Sequence, residues 1–397
     1  MLAYLPPLFF FAVLMGSPVP GFLVFMLLGS WHAWQSWRHP QTANAFHWTR
    51  EDTWLALCFM SIPLFKLLSL LWSPDPALAQ GNVAWHLYFL FWPLMLMALA
   101  RCQANPVHTD RALATGLIVS ALLAVYLSLL GSNTSINSMG NVGILAQLAM
   151  AVGAWNLLAL TRQQSADSSA RGLYGLAFLA TWVVLVLSTR RLELLGFAAL
   201  SFGILVYRLW RHLNARRLMG LVAIALLALC ILVWLRWEKF ALGFSEVAYY
   251  FDSRANGGPF VNSSWGARLE MWRLGWMGFL EHPLLGHSAS GRPFNMTGAP
   301  PMDTFGHRHF HSHLMQTLVE GGLLGLMVLV AALWHSTRVL IIRPWATQRE
   351  TALLAAGLLA AYALEGAASA ALVYDKPNAL LVVMSAWIWL RLRQRAD

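Results

Sequence analysis

Residues 172–210 read GLYGLAFLATWVVLVLSTRRLELLGFAALSFGILVYRLW, and this stretch decides the fold class. It holds two apolar runs, 172–189 and 192–210. Each run is close to the roughly 20 residues that a helix needs to cross the hydrocarbon core of a bilayer. Because only Arg190 and Arg191 separate them, the stretch predicts two membrane-spanning helices joined in a tight hairpin.

The composition of the whole chain agrees with this interpretation. Of its 397 residues, 58% are hydrophobic and only 11% are charged, and the mean hydropathy is +0.57. A soluble domain carries about 25% charged residues. The three cysteines lie in or next to apolar runs, which gives no sign of a disulfide framework or a thiolate metal site. These figures exclude a soluble enzyme, a disordered chain and a disulfide scaffold, and they predict an all-α integral membrane protein.

Further apolar runs raise the predicted number of spans to twelve. They lie near residues 2–16, 19–36, 53–72, 83–100, 112–131, 141–160, 172–189, 192–210, 218–236, 314–335, 351–373 and 378–392. The first run lacks the basic flank and cleavage site of a signal peptide, so we interpret it as a span. The first two runs, joined at Ser17–Pro18, could instead form a re-entrant hairpin. The predicted organisation is nine spans in 1–236, one large loop at 237–313, and three spans with a C-terminal tail in 314–397.

The distribution of basic residues predicts the orientation of these spans. With both termini in the cytoplasm, the cytoplasmic segments contain 16 arginines, whereas the short outer connections contain only Arg190, Arg191 and Lys376. Short cytoplasmic loops are enriched in Lys and Arg. This bias accounts for most of the net charge of +10, and no nucleic-acid-binding motif accompanies it. The 77-residue loop 237–313 is therefore predicted to lie outside.

The outer loop contains one clear helix signal. Residues 264–281 have apolar side chains at helical spacing, and His282-Pro283 follows, where a helix is expected to end. The stripe formed by Leu269, Trp272, Trp276 and Leu280 is predicted to be the buried face.

Two groups of polar residues stand out against this background. Arg190 and Arg191, with Glu193 close by, oppose the charge bias, and an ionisable group at membrane depth costs about 2.5–3.5 kcal/mol on insertion scales. They either form an anion site suited to phosphate, or one arginine reaches lipid headgroups while the other pairs with Glu193. Spacing alone does not separate these two interpretations.

The second group is His307, His309, His311 and His313, which end the outer loop. One interpretation is a metal site, although no Asp, Glu or Cys stands at a recognisable ligand spacing. Another is a solvated histidine-rich loop. The third is a general base at the mouth of a membrane cavity, because imidazole titrates near neutral pH.

Charged and small residues within the spans add weaker signals. Lys66 is interpreted as a side chain that reaches to the membrane surface, and Glu320 or Glu365 as partners of an arginine in the bundle. Glu320 follows His313 by about two helical turns, so the two are expected to face one cavity. Gly321-Gly322 and Gly325 are interpreted as close helix packing.

Three blocks of this sequence resemble the O-antigen ligase and polymerase superfamily. His311-Ser312, followed after nine residues by Gly322-x-x-Gly325 with Gln316 and Glu320 between, resembles the family signature. Residues 268–286, with Arg268, Trp272 and the segment His282-Pro-Leu-Leu-Gly286, look like its R-x-x-x-W and H-P-x-x-G motifs. Residues 188–191, Ser-Thr-Arg-Arg, stand where the family has a Ser-Arg-Gly arginine. Because Arg191 replaces that glycine, either arginine of the pair could be the family's.

The resemblance implies a fold and an activity. The fold would be similar to the GT-C glycosyltransferases, with a helical loop covering a cavity open to lipid. The activity would be glycosyl transfer at the periplasmic face of the bacterial inner membrane, from a glycan on undecaprenyl pyrophosphate. Acceptors in the family are lipid A-core for ligases, another lipid-linked repeat for polymerases, or a protein Ser or Thr. The size and single large loop look most like a ligase.

The same resemblance implies roles for individual residues. We expect Arg190, Arg191 and Arg268 to bind the pyrophosphate, since cations stabilise charge that develops on a leaving group. His311 holds the family's general-base position, with His313 as the reserve, and Glu320 and Trp272 would support the site. We expect no metal and no cofactor, and inversion at the anomeric carbon because no nucleophilic carboxylate pair is indicated. A flippase for a lipid-linked anion is the alternative of another class, although the long loop and the lack of internal repetition disfavour it.

Overall fold

The computed structural model describes most of the chain. The described residues are 2–15, 19–41, 46–103, 105–129, 142–162, 168–188, 191–209, 237–256, 263–297, 299, 309–368, 372 and 374–394, with eight separate positions between 216 and 234.

Regular secondary structure in these residues is entirely helical. The α-helices in the continuous described segments are α1 (Leu5–Met15), α2 (Val19–Arg38), α3 (Arg50–Leu68), α4 (Pro76–His86), α5 (Trp92–Cys102), α6 (Pro106–Leu129), α7 (Val142–Leu160), α8 (Ser168–Leu187), α9 (Arg191–Leu209), α10 (Trp237–Ala255), α11 (Ser264–Glu281), α12 (His313–Thr337), α13 (Arg349–Ala368) and α14 (Asp375–Arg393). Short 3₁₀ or π turns extend or join several of them. The predicted all-α class is confirmed for the described residues.

Six helical stretches in the described part of the chain are long and apolar enough to cross a membrane. They are Arg50–Trp72, Pro76–Cys102, Pro106–Leu129, Ser168–Leu187, His313–Trp345 and Arg349–Ala367. Each coincides with one of the twelve predicted spans. Two more predicted spans correspond to the shorter apolar helices Leu2–Phe11 and Ile144–Leu160, and the one near 218–236 lies mostly outside the described residues. Six spans are thus supported, and twelve stays a prediction.

The centre of the bundle is apolar and closely packed. Helix α14 is buried along almost its whole length, and Trp92, Trp155 and Trp387 are among the largest fully buried side chains. In contrast, Leu71 and Leu129 on outer helices are more than 80% exposed. An apolar interior with apolar side chains on its outside as well is typical of a helix bundle in lipid.

Local capping signals explain where α3 and α11 begin. Thr49 caps α3 by accepting from the backbone N–H of Asp52 at 3.2 Å, and the Asp52 carboxylate accepts from the backbone N–H of Thr49 at 2.6 Å. Ser263 caps α11 by accepting from the backbone N–H of Gly266 at 3.1 Å. The helix predicted over 264–281 is confirmed, with the bounds Ser264–Glu281.

The buried face of α11 differs from the predicted one. Trp276 and Leu280 are 51% and 58% exposed, whereas Leu274 is fully buried. The reason is the close approach that glycine permits: a Cβ placed at Gly275 would lie 2.6 Å from the Met315 side chain. The small-residue face therefore packs against α12, while Trp276 and Leu280 of the predicted stripe are exposed. Residues 237–255, expected as loop, form the helix α10, which packs on α11.

Helix α12 is broken at Gly322. This residue has φ 56° and ψ −152°, so it is not helical. The segment after α11 supplies hydrogen bonds at the break: the N–H groups of Leu323 and Leu324 donate to the carbonyls of Pro283 (2.8 Å) and Leu284 (3.1 Å). The peptide of His287 donates to the freed carbonyl of Val319 at 2.7 Å. Backbone groups left by the break are thereby satisfied, as buried polar groups require.

Two glycines allow this junction. Gly286 has φ +66°, and a Cβ there would lie 2.5 Å from the Val319 carbonyl oxygen. A Cβ at Gly322 would lie 2.5 Å from the Leu284 carbonyl. The interpretation of the glycines as close packing holds for Gly321 and Gly325, which face Phe65. Gly322 is also closely packed, against Leu284, and it breaks the helix as well.

Candidate functional site

The segment that precedes α12 is held by two side chains. The indole Nε1 of Trp272 donates to the carbonyl oxygen of Phe310 at 2.9 Å. The backbone N–H of Phe310 donates to Oε1 of Gln316 at 3.0 Å. The Phe310 ring is fully buried between α11 and α12. Both polar groups of Phe310 are thereby fixed directly before His311.

His311 has a left-handed backbone, with φ 47°. Non-glycine residues in this region cost of the order of 1–3 kcal/mol and persist where their surroundings fix them, which is often at functional sites. The centroids of the His309 and His311 rings lie 4.1 Å apart, and Nε2 of His309 lies 3.3 Å from the Tyr374 hydroxyl. The predicted base is therefore held in a defined, strained position.

His313 is the first residue of α12, after the helix cap Ser312. It lines a cavity of about 30 Å³ together with Lys66 and Glu320. The Nδ1 atom of His313 is buried and has no hydrogen-bond partner among the described residues. The prediction that His313 and Glu320 face one cavity is confirmed.

Glu320 is the centre of a buried polar network. Its side chain is 5% exposed, and it accepts from Lys66, Asn82, Gln316 and, at 3.1 Å, from Nη1 of Arg292. Glu320 pairs with an arginine as expected, but this arginine comes from the outer loop and not from a helix of the bundle. The interpretation of Lys66 as a side chain reaching the membrane surface is wrong, because its ammonium group points inward to this carboxylate.

The segment 287–295 brings Arg292 into the network. The N–H of Ala289 donates to Oγ of Ser69 at 3.1 Å, and the carbonyl of Ala289 accepts from Asn82 at 3.2 Å. Asn295 accepts from the backbone N–H of Arg292 at 2.7 Å. The segment thus rests on α3 and α4 while Arg292 reaches Glu320.

Sequence reasoning did not assign Lys66, Asn82 or Arg292 to the site. Lys66 and Asn82 are 254 and 238 residues away from Glu320 along the chain, so no local spacing connects them. The one usable signal was a lysine in the middle of an apolar run. Arg292 was one of five arginines in the long loop 237–313 and had no distinguishing neighbour.

The structure describes the three predicted phosphate-binding arginines unequally. Arg190 lies outside the described residues, and Arg191 is the first residue of α9, with its side chain not described. Arg268 lies on α11 with its guanidinium 5.4 Å from the Trp265 ring centroid. Because residues four apart share a helix face, Arg268 lies on the side of α11 from which Trp272 reaches Phe310.

A second buried carboxylate, Glu270, holds α10 against α11. It accepts from the Tyr250 hydroxyl at 2.9 Å, from Nη2 of Arg273 at 2.7 Å and from Arg254. Burial alone would raise the pKa of Glu270, but these hydrogen bonds outweigh it and lower the pKa below its usual value. Helix α11, which carries Trp272 and Arg268, is thereby held in place by ion pairs as well as by packing.

His287 stabilises the turn between α11 and α12. Its Nε2 lies 2.9 Å from the carbonyl oxygen of Gly278, which can only accept. Burial lowers the pKa of His287, which favours the neutral ring with its proton on Nε2.

His307, the first histidine of the predicted group, lies outside the described residues. Among the described residues, no group of three or more His, Cys, Asp or Glu side chains is suited to bind a metal.

These observations define a multi-pass helical membrane protein in which α11 and the 282–295 segment dock on the start of a broken helix and fix a strained histidine. Residues 176–330 match the family model of the O-antigen ligases, and this match supports membership of the O-antigen ligase superfamily. The match supports a transferase activity. It covers somewhat more than a third of the chain and includes all three sequence motifs. A search of the curated proteins found no match.

Proposed function

We propose that this protein is an O-antigen ligase. It transfers a glycan from undecaprenyl pyrophosphate to lipid A-core during lipopolysaccharide synthesis. The observation that carries the proposal is the family match over 176–330, which spans the residues that hold His311 beside the start of α12. The alternatives within the superfamily, a polymerase or a protein oligosaccharyltransferase, share this catalytic block and differ in the acceptor.

In the proposed reaction His311 is the general base. An acceptor sugar hydroxyl attacks the anomeric carbon of the donor, and its proton passes to the imidazole of His311. The bond between the anomeric carbon and the pyrophosphate oxygen breaks, and its electron pair leaves with undecaprenyl pyrophosphate. A single displacement of this kind inverts the anomeric centre. Fixation of the Phe310 peptide by Trp272 and Gln316 supports the assignment, since general bases work at defined distances.

His313 is the reserve candidate for the base. It lines the small cavity beside Lys66 and Glu320, and its buried Nδ1 has no hydrogen-bond partner among the described residues. His311, in contrast, lies before the helix begins. We therefore assign proton abstraction to His311 and a place in the supporting network to His313.

Arginines stabilise the leaving group in this proposal. Arg190, Arg191 and Arg268 bind the pyrophosphate, whose negative charge increases as the glycosidic bond breaks. Guanidinium groups suit this role because they form paired hydrogen bonds with phosphate oxygens. The reaction then needs no divalent metal. Arg268 is supported by its place one helical turn before Trp272 on α11.

The proposed setting is the inner membrane of a bacterium. Both termini lie in the cytoplasm, residues 237–313 lie in the periplasm, and the twelve-span bundle resembles the GT-C architecture, with a cavity open to lipid. The supporting observations are the arginine distribution and the six helices long enough to span a membrane.

The test is a reaction with purified protein, a lipid-linked glycan and rough lipopolysaccharide. We expect ligated product in excess chelator, loss of turnover with retained donor binding for His311→Ala, and weaker donor use for Arg268→Ala. Wild-type turnover by His311→Ala would show that His311 is not the general base. Loss of product in chelator would show that the reaction needs a metal ion. If Arg268→Ala changes only acceptor affinity, its pyrophosphate role is wrong.

The same assay separates the other functions. A polymerase would extend the lipid-linked glycan without rough lipopolysaccharide, and a protein transferase would modify a Ser or Thr. A flippase would move the lipid between leaflets and form no covalent product. Deletion in the host, followed by gel analysis of lipopolysaccharide, gives the matching cellular result: loss of the long ladder with accumulated lipid-linked polymer for a ligase.

A further inference from the structure

A chain of three hydrogen-bonded groups connects Glu320 to the peptide before His311. Oε1 of Glu320 accepts from Nε2 of Gln316, and Oε1 of Gln316 accepts from the backbone N–H of Phe310 at 3.0 Å. Gln316 and Glu320 lie one helical turn apart on α12 and are 1% and 4% exposed. The amide of Gln316 is therefore the link between the buried carboxylate and the segment that carries His311.

The carboxylate of Glu320 and the carbonyl of Gly291 together determine which way this amide points. Nε2 of Gln316 faces two acceptors, Oε1 of Glu320 and, at 3.4 Å, the carbonyl of Gly291. An ionised carboxylate only accepts hydrogen bonds. The NH₂ group of Gln316 must then face Glu320, which leaves its oxygen for the N–H of Phe310. The carbonyl of Gly291 can only accept and the N–H of Phe310 can only donate, so they favour the same orientation. The carboxylate strengthens it with a charged acceptor, which an amide at position 320 would not supply.

Two cationic groups fix the carboxylate in turn. Lys66 contacts Oε2 of Glu320 and Arg292 contacts Oε1, from α3 and from the 287–295 segment. A carboxylate bound by two cations and two amides has its oxygens occupied by donors on several sides. Glu320 thus has a fixed place relative to three separate parts of the fold.

We propose that Glu320 is a positioning residue for the general base, which it acts on through the amide of Gln316 and the peptide of Phe310. The inference rests on the proposed function of His311. Glu320 itself does not touch the substrate. Its effect is on turnover, since displacement of a catalytic group by about 1 Å can cost about a hundredfold in rate.

The test compares four variants by kcat, donor KM and melting temperature. Gln316→Met removes both links of the chain, and Glu320→Gln replaces the charged acceptor of the Gln316 amide by a neutral one. The double variant Gln316→Glu with Glu320→Gln exchanges the carboxylate and the amide, and so keeps the net charge and an acceptor for Phe310. Trp155→Phe is the control, because it removes a buried hydrogen bond, from Nε1 to Oδ1 of Asp110 at 2.9 Å, at the end of the bundle that is predicted to be cytoplasmic.

We expect Gln316→Met and Glu320→Gln to lower kcat by about tenfold or more, with donor KM within about threefold of wild type. The double variant should recover to within about threefold of the wild-type kcat. Trp155→Phe should leave kcat unchanged even where its melting temperature falls. This split between kcat and KM, with rescue by exchange, is not expected from a loss of stability alone.

The proposal is overturned if Gln316→Met keeps the wild-type kcat, if kcat of the variants simply follows their melting temperatures, or if the double variant is as slow as Glu320→Gln. His311→Ala, measured beside them, separates the two levels of inference. Loss of turnover in His311→Ala with wild-type turnover in Gln316→Met removes only the role of Glu320. Wild-type turnover in His311→Ala removes the base on which this role rests.

Discussion

At the scale of single residues, the backbone of His311 adopts a conformation that is energetically unfavourable for an ordinary residue. A left-handed backbone costs an ordinary residue roughly 1–2 kcal/mol, and His311 adopts one at φ 47°. Glycine would adopt it without this cost. A histidine in such a position is explained by its side chain rather than by the stability of its backbone.

A first prediction concerns this strain. His311→Gly should be more stable than His311→Ala by about 1 kcal/mol, because glycine adopts positive φ freely. Both variants lack the imidazole, so they differ chiefly in backbone. Unfolding by heat or denaturant in detergent measures the difference. An alanine variant at least as stable as the glycine variant would contradict the strained conformation.

A second prediction concerns the pH dependence of stability. Because the folded pKa of Glu270 lies below its usual value, its ion pairs stabilise the fold fully above the usual carboxylate pKa. That stabilisation is lost as the pH falls through the lower, folded pKa. Glu270→Gln should therefore be less stable than wild type at pH 7, and the difference should shrink in acid. Melting temperatures of both proteins from pH 7 to pH 3 measure this, and a constant difference would contradict it.

At the scale of elements, α11 separates what periodicity can predict from what it cannot. Its bounds follow from local signals, the cap Ser263 and the pair His282-Pro283. Its buried face does not, because large apolar residues at helical spacing indicate a stripe without saying what covers it. Glycines at 275 and 278 admit Met315 and Met296 closely, and this contact is decided by distant parts of the chain.

A third prediction follows from that reversed face. Leu274→Ala should destabilise the protein by about 2–5 kcal/mol, as is usual for a buried leucine. Leu280→Ala should change stability by less than about 0.5 kcal/mol, since its side chain is 58% exposed. The two substitutions are chemically identical and lie on one helix. Equal effects on the melting temperature in detergent would mean that the Trp–Leu stripe is covered.

The candidate site was predicted only in part for a similar reason. The motif residues His311, Trp272 and Glu320 are recognisable because their spacings in the sequence resemble those of the family motifs. Their partners Lys66 and Arg292 belong to other elements, and both form ion pairs with the carboxylate of Glu320. Sequence separation of this size leaves no periodic or spacing signal in a single chain.

At the scale of the whole molecule, charge and apolar surface together predict how the protein sits in the membrane. Six helices are long and apolar enough to cross it, and arginines concentrate at one set of connections. Exposed positions near the ends of elements offer a direct way to test the sidedness. Ser264 at the start of α11 and Gln103 after α5 are both exposed, and we predict them on opposite sides.

A fourth prediction uses these two positions. In a background with Cys58, Cys102 and Cys230 replaced by serine, Ser264→Cys should react with a membrane-impermeant thiol reagent in intact cells whose outer membrane is permeabilised. Gln103→Cys should react only after the inner membrane is opened. Labelling of both variants before that step, or of Gln103→Cys alone, would contradict the predicted topology.

The break at Gly322 has a consequence for protein engineering. Since the backbone of Pro283 and Leu284 completes the hydrogen bonding of α12, neither segment is a self-contained module. A chimera that takes residues 237–313 from a relative and keeps the native membrane helix would join two surfaces that were never matched. The natural unit of exchange runs from the cap of α11 through Gly325, and graft boundaries placed outside it should give functional hybrids.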